Sequence, residues 1–361
     1  MEETIEAEVR PEVRVNVRLV SLAAACALAA TIVSGCSDPG KDRDPAAGIP
    51  KLDQRARAPF PETACKPPTA AGAVAPRCVI AFGRAVGAVA VPPEGSPALV
   101  SLIHSATGSF ALPALDAATA FEPLPAEQEA RAALASAARD AAVLAVGSGL
   151  TGYALSTGKV TGRADGPGGT INDLAWTADG AWLVAAAGGK AFVLDAKGAV
   201  VRPLPVDGSA LHVATSADGA HTAVANDVGA IALFGAGGAT PRTITPSLQP
   251  AEGLAFAGAV LWVAGSDGTL RAFDATSGDE RKRIDVGTPL TRLALSPDGQ
   301  RAAVAGRDRA IRVLALSAEA PPSTLAWHPA QITALAWGAG PTLLSGDGDG
   351  NLAAWDVGAA P

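Results

Sequence analysis

The chain has 361 residues, of which 48% are hydrophobic but only 4% aromatic, and it carries a net charge of −7. That length allows one large all-β domain or two ordinary ones, with a sizeable core that Ala, Val, Leu and Gly must build. No basic run and no interleaving of aromatic with basic residues is present, which argues against a nucleic-acid partner, because phosphate binding needs clustered cations.

From Leu19 to Val33 runs "LVSLAAACALAATIV", preceded by Arg10, Arg14 and Arg18. Fifteen mostly apolar residues suit a signal-peptide core and are too few to span a bilayer comfortably, which takes about 20. The run ends in "VSGC", Val33 to Cys36, which resembles the lipobox of bacterial lipoproteins. The resemblance implies that residues 1–35 are a cleaved signal peptide and that Cys36 carries lipid as the mature N-terminus. Several acyl chains, at ~0.8 kcal/mol per buried methylene, would anchor the protein to a membrane. Ser37 rather than Asp after the Cys favours the outer membrane by analogy with enteric sorting, with Asp38 immediately behind it. The opening "MEETIEAEVRPEV" is acidic where signal n-regions are basic, so a start near Val13, Val15 or Val17 is expected.

Residues 36–77 read as a linker, rich in Pro and charge with almost no apolar periodicity. Its coil between Cys36 and Cys65 would reach roughly 30 Å on average. Cys65 and Cys78 are the remaining thiols of an exported chain, and an oxidising envelope makes them a natural disulfide. Closing that loop stabilises by about 3 kcal/mol in the chain-entropy model. A metal site is the alternative, with two Cys and no nearby His to build it.

Beyond Cys78 the chain repeats itself. "INDLAWTADGAWLVAAAGGKAFVLDAKG" from Ile171 is followed by similar copies from Leu211, Ala251, Thr291 and Ile332, and preceded by weaker ones from Gly87 and Arg131. Each copy alternates short apolar runs with Gly- and Asp-rich turns, the pattern of strands in meander order. Taking Val89, Leu134, Leu174, Val213, Leu254, Leu293 and Leu335 as markers, the steps lie between 39 and 45 residues. Seven copies of four strands predict an all-β fold over 78–361, a seven-bladed β-propeller of four-stranded antiparallel blades. Turns every eight to ten residues exclude a helical repeat. The strand "CVIAF" from Cys78 is expected to complete the last blade, which ends without a fourth strand, and so remove an exposed edge.

The last copy, "HPAQITALAWGAGPTLLSGDGDGNLAAWDV", resembles the WD-repeat family, with Trp327-His328 in place of Gly-His and Trp355-Asp356 closing the motif. The resemblance implies a buried hydrogen-bond network, carried over here to Asp349, His328, Ser345 and Trp355. In other copies Asp267 and Asp308 keep the turn acid, while Val263 and Val304 replace the Ser and Phe273 and Leu314 replace the Trp. Asp347, Asp349 and Asn351 also alternate like the start of a calcium loop. A calcium loop, however, needs Gly at its sixth position and Glu near its twelfth, where Leu352 and Gly358 stand.

His328, Ser345 and Asp349 are the ingredients of a hydrolase triad, yet no Gly-x-Ser-x-Gly elbow is present. His104 stands in the copy from Gly87, and His212 and His221 share the copy from Leu211, without acidic or Cys neighbours at ligand spacing in the sequence. "ALSTGKVTG" from Ala154 and "FDATSGDERKR" from Phe273 resemble the Thr-Gly turn of quinoprotein-like propellers, but the first strands offer mainly Ala, Leu, Val and Thr. No cofactor is expected. Arg292, Arg307, Asp308, Arg309 and Trp327 are the most binding-like residues, since Arg and Trp are common interface anchors. The sequence thus points to a lipid-anchored envelope protein that is not an enzyme and whose propeller binds another envelope protein. A quinoprotein-like or lactonase-like propeller enzyme is the alternative. A cluster of buried charges at the channel mouth would favour the enzyme, and a channel of Ala and Val the platform.

Overall fold

The computed structural model describes residues 65–66, 75–92, 95–103, 107–112, 115–124, 130–177, 182–186, 190–236, 240–246 and 249–358. Met1–Asp53 and Gln54–Pro361 are separate units, and every described residue belongs to the second. The signal core, the Val33–Cys36 motif, lipidation at Cys36 and nearly all of the linker therefore lie outside the described residues, as does His104.

Among the described residues every regular element is a strand, and the strands form seven four-stranded antiparallel sheets. Six are continuous in sequence: sheet 1 over 86–120, sheet 2 over 130–164, sheet 3 over 171–204, sheet 4 over 210–244, sheet 5 over 251–285 and sheet 6 over 290–325. Sheet 7 joins Ile332–Trp337, Thr342–Asp347 and Asn351–Asp356 to Cys78–Ala81 from the other end of the chain. The first strands touch one another in succession, and that of sheet 7 touches that of sheet 1, so the sheets close into the ring of a β-propeller.

Burial explains why these strands read as nearly continuous apolar runs. Among the described residues seven apolar clusters are present, one between each pair of neighbouring sheets. A sheet in the ring therefore buries both of its faces. On Asn351–Asp356, Leu352 and Ala354 face sheet 1, while Ala353 and Trp355 face sheet 6. Alternation of polar and apolar residues is lost because neither side of the strand meets water.

In all seven sheets the pairing of the first strand with the second carries a bulge at the same place, for example between Ile171 and Asp173 and between Leu290 and Arg292. The extra residue breaks the two-residue period there. The shared bulge corrects one sequence marker. Leu174, Val213 and Leu293 lie three residues after the first paired residue of their strands, and in sheet 2 that place belongs to Ala133, not Leu134. Leu134 is the larger apolar residue, but register follows the bulge rather than side-chain size.

The seam forms as expected. Cys78 pairs with Ala354, Val79 with Ala353, Ile80 with Leu352 and Ala81 with Asn351. Phe82 N–H donates to Gly350 O at 2.8 Å. Gly350 is required there, because its φ of 90° suits glycine and any Cβ would run into the Arg84 backbone. The Cys65–Cys78 disulfide is present, with Cα atoms 5.4 Å apart, and Lys66 forms a two-way bridge with Val79 just beyond it. Replacing Cys65 with Ser should lower the unfolding free energy by about 3 kcal/mol. Amide exchange should rise first at Val79–Ala81 and not in sheet 6; uniform acceleration around the ring would show that the bridge does not hold the seam.

Candidate functional site

Two groups of polar side chains sit on the face that carries the turns between second and third strands. One is buried under that face in sheet 7; the other lines the mouth of the central channel.

The buried group forms where Thr342–Asp347 places Ser345 and Asp347 two residues apart and so on one side of the strand. The loop before Ile332 lays His328 across them. His328 Nδ1 lies 2.8 Å from Asp347 Oδ2, His328 Nε2 lies 2.6 Å from Ser345 Oγ, and Trp355 Nε1 donates to Ser345 Oγ at 2.7 Å. One assignment of protons satisfies every member: indole N–H to serine oxygen, serine O–H to Nε2, and Nδ1–H to the carboxylate. Asp347 Oδ1 also accepts the backbone N–H groups of Asp349 and Asn351, and both carboxylate oxygens accept from Asn351 Nδ2. Burial pushes the Asp347 carboxyl up, but the hydrogen bonds from His328, the Asn351 side chain and the Asn351 N–H outweigh it and hold the group below the ordinary aspartate value.

This corrects the assignment of the network acid to Asp349. Asp349 lies two residues beyond the strand, exposed in the turn, and contributes its N–H rather than its carboxylate. Ser345 and Asp347 are fully buried and His328 is 5% exposed. The Ser–His–Asp contacts have hydrolase-like distances, but the serine oxygen already accepts from Trp355 and has no open side for a substrate. The alternation of Asp347, Asp349 and Asn351 has the same explanation: Asp347 is the acceptor, and the other two supply hydrogens.

Sheet 4 keeps a version of this turn. Asn226 stands at the Asp347 position, is 1% exposed, accepts from the N–H groups of Val228 and Ala230, and donates to Asp207 O at 2.6 Å. The sequence signal was its place at the end of a second strand, two residues after Val224. In sheets 5 and 6 glycine takes that position, and Asp267 and Asp308, two residues on, fold back toward it. They pair with Arg271 at 2.6 Å and Arg312 at 2.5 Å.

Of the second group, the sequence singled out Arg292 alone, as a residue of the loops. The bulges put Asn172, Asp173, His212, Glu252, Arg292 and Thr333 near the start of the innermost strands. Asp173 lies 3.4 Å from His212 Nδ1 and accepts from the N–H groups of Leu174 and Val213. Asn172 donates to Ala210 O, and Thr333 donates to Val86 O at 2.7 Å. Arg292 donates from Nε to Thr333 O at 2.7 Å and from Nη1 to Thr291 O at 2.6 Å. Burial pulls its guanidinium below the ordinary value, while Glu252 and Asp173 act in the opposite direction. Most of these bonds cross from one sheet to the next, so the cluster ties neighbouring sheets together around the channel.

The proposed interaction residues divide accordingly. Arg292 belongs to the channel, not to a loop tip. Trp327 is half-buried, packed edge-on against His328 with ring centres 5.3 Å apart, so it is a core residue more than an exposed anchor. Arg307, Asp308 and Arg309 do lie exposed together in one turn. Asp308 caps Ala310 N–H and holds Arg312, and Arg309, at φ 66°, donates to Pro329 O at 2.6 Å. Thr276 and Gly278 of the Thr-Gly resemblance lie in a turn capped by Asp274, which accepts from the N–H groups of Thr276 and Ser277.

No family model matches the chain. A chain of a structure titled "Crystal Structure of Mitotic Checkpoint Complex" superposes with a TM-score of 0.71 at 15% identity, covering 81% of this chain and 97% of that one. At that identity the likeness shows the fold alone, a β-propeller.

Asp347→Ala should destabilise the protein by about 3 kcal/mol, because it leaves a buried imidazole, an amide and two backbone N–H groups without their acceptor. Asp349→Ala should stay within about 0.5 kcal/mol. Denaturant melts of the two variants check the assignment, and the reverse order would restore Asp349. The depressed Asp347 carboxyl also sets a pH dependence. Its contribution is fully present above the unfolded aspartate value of about 3.9 and is lost as pH falls through the lower folded value. Asp347→Asn should therefore flatten stability against pH below about 4, and an unchanged slope there would assign the acid sensitivity to other carboxylates.

Proposed function

We propose that the chain is a lipid-anchored envelope protein, held in the outer membrane through Cys36, whose propeller serves as a non-catalytic docking platform for another envelope protein. We read its seven sheets as seven blades. The propeller fold is compatible with a protein-interaction platform. The observation that carries the reading is the turn of Arg307, Asp308 and Arg309. Its backbone is fixed by Asp308 and Arg309, which leaves the exposed Arg307 guanidinium presented from a rigid loop. Such display on a stable scaffold is how loops acquire binding roles. The apolar run ending at Cys36 supports the anchor.

One observation favours the second reading, a propeller enzyme. The channel mouth carries Asp173, His212, Glu252 and Arg292 rather than Ala and Val alone. Against it, Asp173 and Arg292 are engaged with backbone groups of adjacent strands, which leaves little of their bonding capacity for a substrate.

The test is cross-linking of the tagged, full-length protein in its native cells, followed by identification of what co-purifies from detergent. One near-stoichiometric envelope protein is expected, lost when Arg307→Glu and Arg309→Asn are combined, the Asn being chosen to tolerate the positive φ. Cys36→Ser should move the protein out of the membrane fraction. If nothing is enriched over an unrelated lipid-anchored control, the platform reading falls.

A further inference from the structure

We infer that the gap between sheets 2 and 3 is a binding pocket for a small organic anion with an apolar body. The proposal does not depend on the docking platform.

The gap encloses a cavity of about 680 Å³, within the 300–1,000 Å³ usual for small-molecule sites. Its floor is apolar, made by Val143 and Leu150 of the cluster between these two sheets. The hollow exists because Gly152 and Gly162, paired across the third and fourth strands of sheet 2, carry no side chains into it. The residue at the Gly152 position is Val193 in sheet 3, Ala272 in sheet 5 and Val313 in sheet 6.

The lining supplies three cations and no acid: Arg139, Arg163 and Lys197. The nearest carboxylates in sequence are engaged elsewhere. Asp140 accepts from the N–H and hydroxyl of Ser156, and Asp195 accepts from the N–H groups of Lys197 and Ala199. Asp165 lines an adjoining hollow that shares Arg163. Among the described residues, Arg139, Arg163 and Lys197 have no ion-pair partner.

The protein contains a filled counterpart of this site. Between sheets 6 and 7, Arg301 lies over the Trp337 ring at 4.7 Å, and its guanidinium donates to the carbonyl oxygens of Val357 and Gly358. Between sheets 2 and 3, Arg139 lies over the Trp176 ring at 5.4 Å; both rings end a neighbouring first strand, Arg139 reaching over from the turn and Arg301 from the start of the second strand. There the chain's own tail brings acceptors to the arginine; here no described residue does. A ligand completing the pattern must bring anionic oxygens to Arg139 and Arg163 and apolar bulk to the floor. A carboxylate or sulfonate on an aromatic or short aliphatic body meets both demands.

The probe is 8-anilinonaphthalene-1-sulfonate, titrated into the full-length protein with its fluorescence as readout, and displaced by decanoate or decanol. Saturable one-site binding is expected, reversed by decanoate much more readily than by decanol. Arg139→Ala with Arg163→Ala should weaken binding at least tenfold. Gly162→Leu should abolish it, since Gly162 has open space where the new side chain begins. Wild-type affinity in both variants would overturn the pocket, and equal displacement by decanol would overturn its preference for anions. Should Gly162→Leu fail to fold, the exposed arginine pair carries the test alone. Failure to find a protein partner would leave these outcomes untouched.

Discussion

The structure depends on one antiparallel pairing, that of Cys78–Ala81 with Asn351–Asp356. A ring of sheets has no free face only if it closes, and this one closes with strands from opposite ends of the chain. Cys78 and Ile80 belong to the same apolar cluster as Val86, Leu102 and Phe110 of sheet 1. Loss of the pairing would expose a backbone edge on Asn351–Asp356 and also uncover part of the core between sheets 7 and 1. The disulfide and the Lys66–Val79 bridge act on this strand, where the chain closes the ring without covalent continuity.

The buried His328–Asp347–Ser345–Trp355 network lies in the same closing sheet. Elsewhere the corresponding places hold Val263, Val304 or Val224, and packing alone suffices. A buried chain of hydrogen bonds is directional, and it punishes any register but its own because an unmade bond there is costly. Sheet 7 must choose its register between segments about 270 residues apart, so register information is worth more there than in a meander, where short turns already set it. Asn226 in sheet 4 and the folded-back Asp267 and Asp308 do the local part of this by pinning the turn after the second strand. They lack the histidine and serine that extend the pinning to the rest of the sheet.

The sequence made the architecture legible through three independent signals: the period near forty residues, the Asp-Gly turns, and a last copy one strand short. Its errors were local and share a cause. Spacing from the turn selects Asp349, but the strand ends at Asp347, and Asp349 lies in the turn beyond it, so only Asp347 is held on Ser345's side of the strand. Size selects Leu134, whereas the bulge assigns the marker place to Ala133. The channel mouth escapes notice for the same reason. An extra residue in each first strand interrupts the alternation, so Asn172 beside Asp173 and Thr291 beside Arg292 do not look like one polar group until the seven bulges are superposed. His212, which has no acidic neighbour in sequence, meets Asp173 only across two sheets.

What separates scaffold from function in this molecule is whether a polar group's bonding capacity is already engaged. Arg292, Asp173 and His328 carry the residue types of active sites, yet the bonds they make run between sheets or within the core, and they serve closure. Arg301 is engaged in the same way by the carbonyls of Val357 and Gly358. Arg307, Arg139 and Arg163 are exposed cations with no ion pair among the described residues, one on the face of the channel mouth and two in the gap between sheets 2 and 3. A rigid ring holds these groups at fixed separations without any need of them for its own stability. Charges that the fold does not use are free to be changed without unfolding it, and those are the positions at which a binding partner can be gained.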